Sequence, residues 1–280
     1  MGVRHDEGFF SARDNLRLFW ASDVPDAPKA WVGVVHGYAD HCGRYKGVIG
    51  HLAQEGFGVM AFDYRGHGQA DGRRAYVEKF DDYSGDLDAF WEKVRQQAGG
   101  KKAFLLLHSH GGLIGLRWAM ARKPEGLAGW MLSSPYLKLA LKPPATKVLA
   151  AKVVGKVLPW MPIKTEISPK DLSRDVELQK ATERDPLYLK IVTPRWFNES
   201  NRVQEEVAAK AGAAVTWPTL LFAGANDPIA STPASRAFFE TVAAQDKTIK
   251  IYPGMLHECM NEVGKEEVWR DVAGWISAHL

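Results

Sequence analysis

Cysteine is scarce in this chain, with only Cys42 and Cys259 among 280 residues. Two thiols cannot build a disulfide framework, and their spacing fits no metal-binding pattern. Each lies near a loop singled out below, which leaves a redox switch open; two buried, reduced thiols in a cytosolic setting is the simpler expectation. Long apolar runs are missing too. No stretch approaches a membrane span, and the start, MGVRHDEGFFSARD, lacks the apolar core of a secretion signal. A soluble, cytoplasmic protein is expected. Charge of one sign is equally absent: 36 Lys and Arg mix with 33 Asp and Glu for a formal net charge of +3. No block of like charge resembles a nucleic-acid-binding arm, so nucleic acid is not an expected partner.

What the chain does have is enough length, and enough apolar content at 46%, to bury one sizeable core. Strands are expected at Leu16 to Ala21 and at Trp31 to Val35, separated by the chain-breaking Pro25 and Pro28. The second runs into His36-Gly37-Tyr38, a turn able to offer a backbone N–H to a ligand or simply to leave the sheet. A helix from Tyr45 to Glu55, a strand from Gly58 to Tyr64 and an amphipathic helix from Phe80 to Gln97 follow. Asp63 precedes a glycine-rich loop, residues 65–72, that holds His67 between two glycines, where a histidine more often bonds its own loop than reacts. Strand and helix go on alternating through Leu127 to Ser133, which predicts a mostly parallel sheet covered on both faces, an α/β fold.

From Tyr136 to about Glu206 the pattern breaks. Prolines multiply, no clear strand is visible, and the best helix is Thr146 to Leu158. This stretch is read as a helical cap, residues 136–206, inserted into a core of residues 1–135 and 207–280 and lying over the strand ends where open α/β sheets bind ligands. Its apolar residues alternate with Lys138, Lys142, Lys147, Lys152 and Lys156. Such a segment can lie on a lipid surface or take up an apolar substrate, or it can pack on its own core with solvated lysines. Strands at Thr219 to Ala223 and Thr248 to Tyr252, a helix at Ser235 to Ala244 and a closing helix at Glu266 to Leu280 complete the core.

The organising stretch is AFLLLHSHGGLIGL, residues 103–116. Four apolar residues make a strand buried on both faces, the period turns helical after Gly111 and Gly112, and Ser109 sits at the join. That is the build of a nucleophile elbow, although Leu107 stands where G-x-S-x-G has its first glycine. Room for Leu107 is expected from Gly112 and Gly115. Ser109 could equally be a helix N-cap. Two partners argue for chemistry: Asp227 and His257 also lie just past predicted strand ends, which a parallel sheet gathers on one edge. A serine hydroxyl needs an imidazole to take its proton, and the imidazole needs a carboxylate to fix its tautomer. The set requires no metal or cofactor.

These residues resemble the monoacylglycerol lipase and lysophospholipase-like branch of the α/β-hydrolases. The similarity runs through HGYADHCGRY, DYRGHGQADG, LLLHSHGG, KVLAAKVVGKVLP, SRDVELQKATERDPL, GANDPIAS and QDKTIKIYPGMLHE. It implies Ser109 as nucleophile, Asp227 as orienting acid and His257 as general base, with the backbone N–H groups of Tyr38 and His110 as oxyanion hole. It also implies that Asp40, Arg44 and His108 face the polar head of a glycerol ester, and that the partner is a small lipid-like ester. Leu107, Tyr38 and His110 depart from the pattern, where the family has glycine, a small residue and methionine. An imidazole beside Ser109 could shift its reactivity or trim the alcohol pocket, and Tyr38 could narrow the entrance. The expected reaction is fatty-ester cleavage through an acyl-serine. Its rivals are amide cleavage, with cap acids Glu166, Asp171, Asp175, Glu177, Glu183 and Asp185 holding a free amine, and ligand binding without catalysis. A dehalogenase would need a carboxylate in place of Ser109.

Overall fold

The structure is a computed structural model, and it describes residues 2–140 and 145–280 apart from the side chains of Ala145, Lys147, Val148, Ala150 and Lys152. The expectations for Leu141, Lys142 and the side chains of Lys147, Val148 and Lys152 therefore fall outside the described residues.

The chain begins with β1 (Val3–Ser11) and β2 (Arg17–Pro25), an antiparallel hairpin. Nothing in the sequence pattern predicts β1, and its burial explains why: it is an edge strand, mostly exposed, with no apolar residue between Val3 and Phe9 to reveal a strand period. Pro25 does not break the chain before the strand ends. It is the last residue of β2, a position where the missing N–H is tolerated. Then come β3 (Trp31–Val35), a 3₁₀ turn at Cys42–Tyr45, α1 (Lys46–Gln54), β4 (Gly58–Asp63), α2 (Asp81–Ala98), β5 (Ala103–His108), α3 (His110–Arg122) and β6 (Leu127–Ser133). After the intervening segment, the sheet resumes with β9 (Thr219–Gly224), α8 (Thr232–Thr241), β10 (Lys247–Tyr252) and α9 (Lys265–Ala278). α8 starts three residues before the expected Ser235, because the Ser231 side chain accepts from the Ala234 N–H and a proline occupies the first turn.

The eight strands order as β1-β2-β4-β3-β5-β6-β9-β10, and every pairing from β4 to β10 is parallel. This is the α/β-hydrolase architecture, a mostly parallel sheet between helices. Alternation along β5 shows how the layers arise: Phe104 and Leu106 join Val48, Leu52, Val268 and Val272 of α1 and α9, while Leu105 and Leu107 join Leu87, Phe90 and Leu116 of α2 and α3.

The intervening segment holds α4 (Ala145–Val157), β7 (Ile163–Lys164), α5 (Pro169–Leu172), α6 (Val176–Arg184), β8 (Ile191–Val192) and α7 (Pro194–Ala214). β7 and β8 form a two-residue antiparallel ladder where the sequence predicts no strand, too short to show any period. α7 runs unbroken through Glu206, so the expected boundary at 206–207 falls inside a helix.

Candidate active site

Three of the parallel strands, β5, β9 and β10, end on the same edge of the sheet, and Ser109, Asp227 and His257 stand just beyond them. At the β5–α3 turn Ser109 takes φ 51° and ψ −115°. That conformation mirrors an extended one and is natural only to glycine, so holding a serine in it stores on the order of 1–3 kcal/mol. The side chain makes no capping bond to α3. Its hydroxyl donates instead to His257 Nε2 at 2.9 Å, and His257 Nδ1 donates to Asp227 Oδ2 at 2.8 Å. Asp227 Oδ1 accepts from the N–H groups of Ile229 and Ala230 at 2.8 and 2.9 Å, which anchors the carboxylate and leaves Oδ2 for the imidazole. The N-cap alternative for Ser109 is thereby excluded.

Burial alone would lower the His257 imidazole, but the charge and hydrogen bond of Asp227 outweigh it and hold the group above its ordinary 6.5. Asp227 moves the other way: burial raises it, and the pull of His257 with two backbone N–H groups lowers it below the usual carboxylate range. Each partner thus stabilises the charged form of the other.

The elbow fits because α3 comes very close to the sheet. A Cβ on Gly115 would lie 2.6 Å from Leu107 Cδ1, so Gly115 supplies the room that Leu107 requires. Gly112 does not. Its own close neighbour is the Pro135 side chain. One turn earlier, a Cβ on Gly111 would meet the carbonyl oxygens of Val35 and His36 at 2.6 Å, which brings the end of β3 and the loop carrying Tyr38 against the elbow.

A cavity of about 460 Å³ opens beside Ser109. Its walls are largely apolar, drawn from the intervening segment (Leu139, Val154, Val192, Trp196, Phe197) and from Ile229, with Tyr38, Asp40, His108, His257 and Glu258 near the serine. Arg44 is not among its walls. The guanidinium is taken up one layer back, its Nη2 donating to both Glu258 carboxylate oxygens at 2.8 Å, its Nε 2.7 Å from Asp40 Oδ1 and its Nη1 donating to Thr182. Asp40 is similarly occupied, accepting from the His41 N–H and the Tyr45 hydroxyl at 2.9 Å. Burial lifts it to about 6 against the pull of Arg44, whereas Arg44 and the Asn261 amide hold Glu258 below its usual range despite burial. His108 stays neutral, lowered to about 3 by burial and by His257, whose ring centroid is 4.9 Å away. Glu258 carries no expectation from the sequence. Its one signal is adjacency to His257, because its partner Arg44 lies 214 positions away.

His110 corrects one expectation. The His110 ring is not among the cavity walls; it is fully buried behind the wall residues Tyr38 and Trp196, whose ring centroids are 6.1 and 5.2 Å away, and lies 3.3 Å from both the Tyr64 hydroxyl and Ser200 Oγ, lowered to about 3 by burial and by His36. Tyr38 does line the cavity, and its ring centroid lies 3.7 Å from that of Trp196 while its hydroxyl donates to the Ile191 carbonyl at 2.8 Å. Its side chain thus ties the loop after β3 to β8. Asp63 and His67 are structural: Asp63 accepts from the N–H groups of Cys42 and Gln69, and His67 bonds the Arg65 carbonyl of its own loop.

Comparison with known proteins is consistent with this arrangement. Residues 26–264 match the family described as serine aminopeptidase, S33. The chain is 34% identical to the monoglyceride lipase of Homo sapiens over 89% of its own length and 83% of that protein's. It is 30% identical to the monoacylglycerol lipase of Mycolicibacterium smegmatis over 98% of both. Among solved structures, the monoacylglycerol lipase of Paleococcus ferrophilus superposes with a TM-score of 0.82 at 30% identity, covering the whole of each chain.

Proposed function

Because this chain belongs to the serine aminopeptidase S33 family, in the monoacylglycerol lipase-like branch of the α/β-hydrolases, we propose that it is a carboxylic-ester hydrolase acting on fatty-acid monoesters of glycerol or a glycerol-based lipid head. The observation that carries this reading is the unbroken relay Ser109–His257–Asp227 opening onto a mainly apolar cavity. Ser109 Oγ attacks the ester carbonyl carbon as its proton passes to His257 Nε2. The carbonyl oxygen becomes an oxyanion held by the backbone N–H groups of Tyr38 and His110; the latter opens α3, so no carbonyl a turn earlier in the helix accepts it. As the tetrahedral centre collapses, His257 returns the proton to the departing alcohol, leaving an acyl-serine. Water, losing a proton to His257, attacks this ester and frees the acid and Ser109.

In this reading the segment 136–206 is the cap, and its apolar side wall takes the acyl chain. Asp40 and His108 stand at the serine end, where the head would lie, with Arg44 holding Asp40 and Glu258 in place from behind. α4 turns Val154 to the cavity and exposes Leu149, Val153 and Val157, successive positions four apart on one stripe. Lys156 lies beside that stripe, so the cap can rest on a lipid surface and receive substrate from it. Five of the six cap acids weighed for amine recognition are away from the cavity walls. Asp171 and Asp175 cap helices, Asp185 pairs with His41 at 2.8 Å, and Glu177 pairs with Lys180; Glu166 alone of the six reaches the cavity. That occupation favours esters over amides of amino acids.

The test is a panel of monoacylglycerols, lysophospholipids, short aryl esters and amino-acid arylamides, with the lipids offered both in detergent and in vesicles. Long-chain monoesters should show the highest kcat/KM and Ser109→Ala should abolish turnover. Preference for an arylamide, or hydrolysis that survives Ser109→Ala, overturns the reading.

A further inference from the structure

The side of the oxyanion loop facing away from the substrate is wired as tightly as the triad. The Gly37 carbonyl accepts two hydrogen bonds, from the Tyr64 hydroxyl and from His36 Nδ1, each at 2.7 Å. Both lone pairs of that oxygen are therefore engaged. Carbonyl Gly37 and N–H Tyr38 belong to one planar peptide unit, so whatever grips the oxygen sets the direction in which the N–H points.

The donor side continues inward. Having given its proton to Gly37, the Tyr64 oxygen can only accept at its 3.3 Å contact with His110 Nδ1, so that nitrogen carries the imidazole proton. Nε2 is then bare and accepts from the Ser200 hydroxyl at 3.3 Å. Burial keeps the His110 ring neutral and Tyr64 protonated, as this sequence of donors demands. All three links run one way, Ser200 to His110 to Tyr64 to the Gly37 carbonyl, and such a chain polarises each member in the same sense. Withdrawal of electron density at the Gly37 oxygen makes the Tyr38 N–H a stronger donor.

We propose that Tyr64, supported by His36 from the side and by His110 and Ser200 from behind, is the positioning residue of the oxyanion hole, aiming and strengthening the Tyr38 N–H toward the developing oxyanion. The proposal rests on Tyr38 and His110 being the oxyanion donors. It also accounts for an imidazole at position 110, whose backbone offers one donor of the hole while its side chain orients the other. Ser200 lies on α7, which extends from the intervening segment into the core, so the chain of donors begins on the element that walls the cavity through Trp196 and Phe197.

Tyr64→Phe removes the hydroxyl and keeps the ring that stacks on His36 at 4.1 Å. It should lower kcat about tenfold with KM changed less than twofold, since the lost bond matters only when charge develops on the carbonyl oxygen. A long-chain trifluoromethyl ketone, which adds to a serine as a tetrahedral oxyanion, should lose affinity by the same factor, and a long-chain alcohol that only fills the cavity should lose none. Ser200→Ala alone should reduce kcat by a smaller factor and add little in the Tyr64→Phe background; if Tyr64→Phe fails to fold, Ser200→Ala carries the same kcat and ketone comparison. Unchanged kcat and ketone affinity in both variants, while Ser109→Ala is inactive, overturns this proposal and leaves the serine reading intact. Hydrolysis that persists in Ser109→Ala removes the premise of both.

Discussion

Burial and Asp227 pull the His257 imidazole in opposite directions, and Asp227 wins, leaving the group above its ordinary 6.5. Only the neutral ring can accept the Ser109 proton, and the ring is protonated below its pKa. Activity must therefore fall as the pH drops, with the midpoint of the acid limb in kcat/KM above pH 6.5. Asp227→Asn removes the largest upward pull and leaves burial opposed only by the weaker pulls of Glu258 and Asp40, so the midpoint should move to lower pH while kcat falls by roughly 10⁴, the size of the equivalent loss in a serine protease triad. An acid limb that stays where it was would assign the titration to another group. That Ser109, His257 and Asp227 meet is legible in the sequence because each follows a predicted strand in a parallel sheet, so position gathers them. Glu258 and Tyr64 are not. Their partners are reached through the fold: Arg44 lies 214 positions from Glu258, and Gly37 lies 27 from Tyr64.

At the scale of elements, the elbow depends on how closely α3 approaches β5. Alanine is ordinarily better than glycine inside a helix by about 0.8–1.0 kcal/mol. Gly115→Ala should nevertheless lower the Tm, because its Cβ would lie 2.6 Å from Leu107 Cδ1 in a fully buried layer. In a Leu107→Ala background that space is free, and the same substitution should raise the Tm. Additive effects in the double-mutant cycle would show that the two sites do not share this contact. The missing elbow glycine at 107 can be read from the sequence, but its remedy only as far as the pair Gly112 and Gly115, which share a helix face; the approach of Leu107 to Gly115 alone is settled by the packing. The β1 edge strand and the β7–β8 ladder cannot be read so. An exposed edge needs no apolar alternation, and two residues span a single strand period, too few to show a repeat.

For the molecule as a whole, the alternation of strands and helices is sufficient to anticipate a parallel sheet with a helical interruption, but not the order of its strands, which sequence periodicity does not encode. The joined edge matters most. It places the hydroxyl of Ser109, the ring of His257 and the carboxylate of Asp227 in one relay, and the intervening segment roofs them with an apolar cavity. The central claim is that one serine in the whole chain becomes covalently linked to the acyl group. The most direct measurement is intact-chain mass after reaction with a long-chain alkyl fluorophosphonate, in which a serine oxygen displaces fluoride from phosphorus, followed by peptide mapping. The account predicts a single adduct per chain, on the peptide containing Ser109, formed more slowly in Asp227→Asn and lost in Ser109→Ala. An adduct on any other residue, or a folded chain that hydrolyses esters without acquiring one, would contradict it.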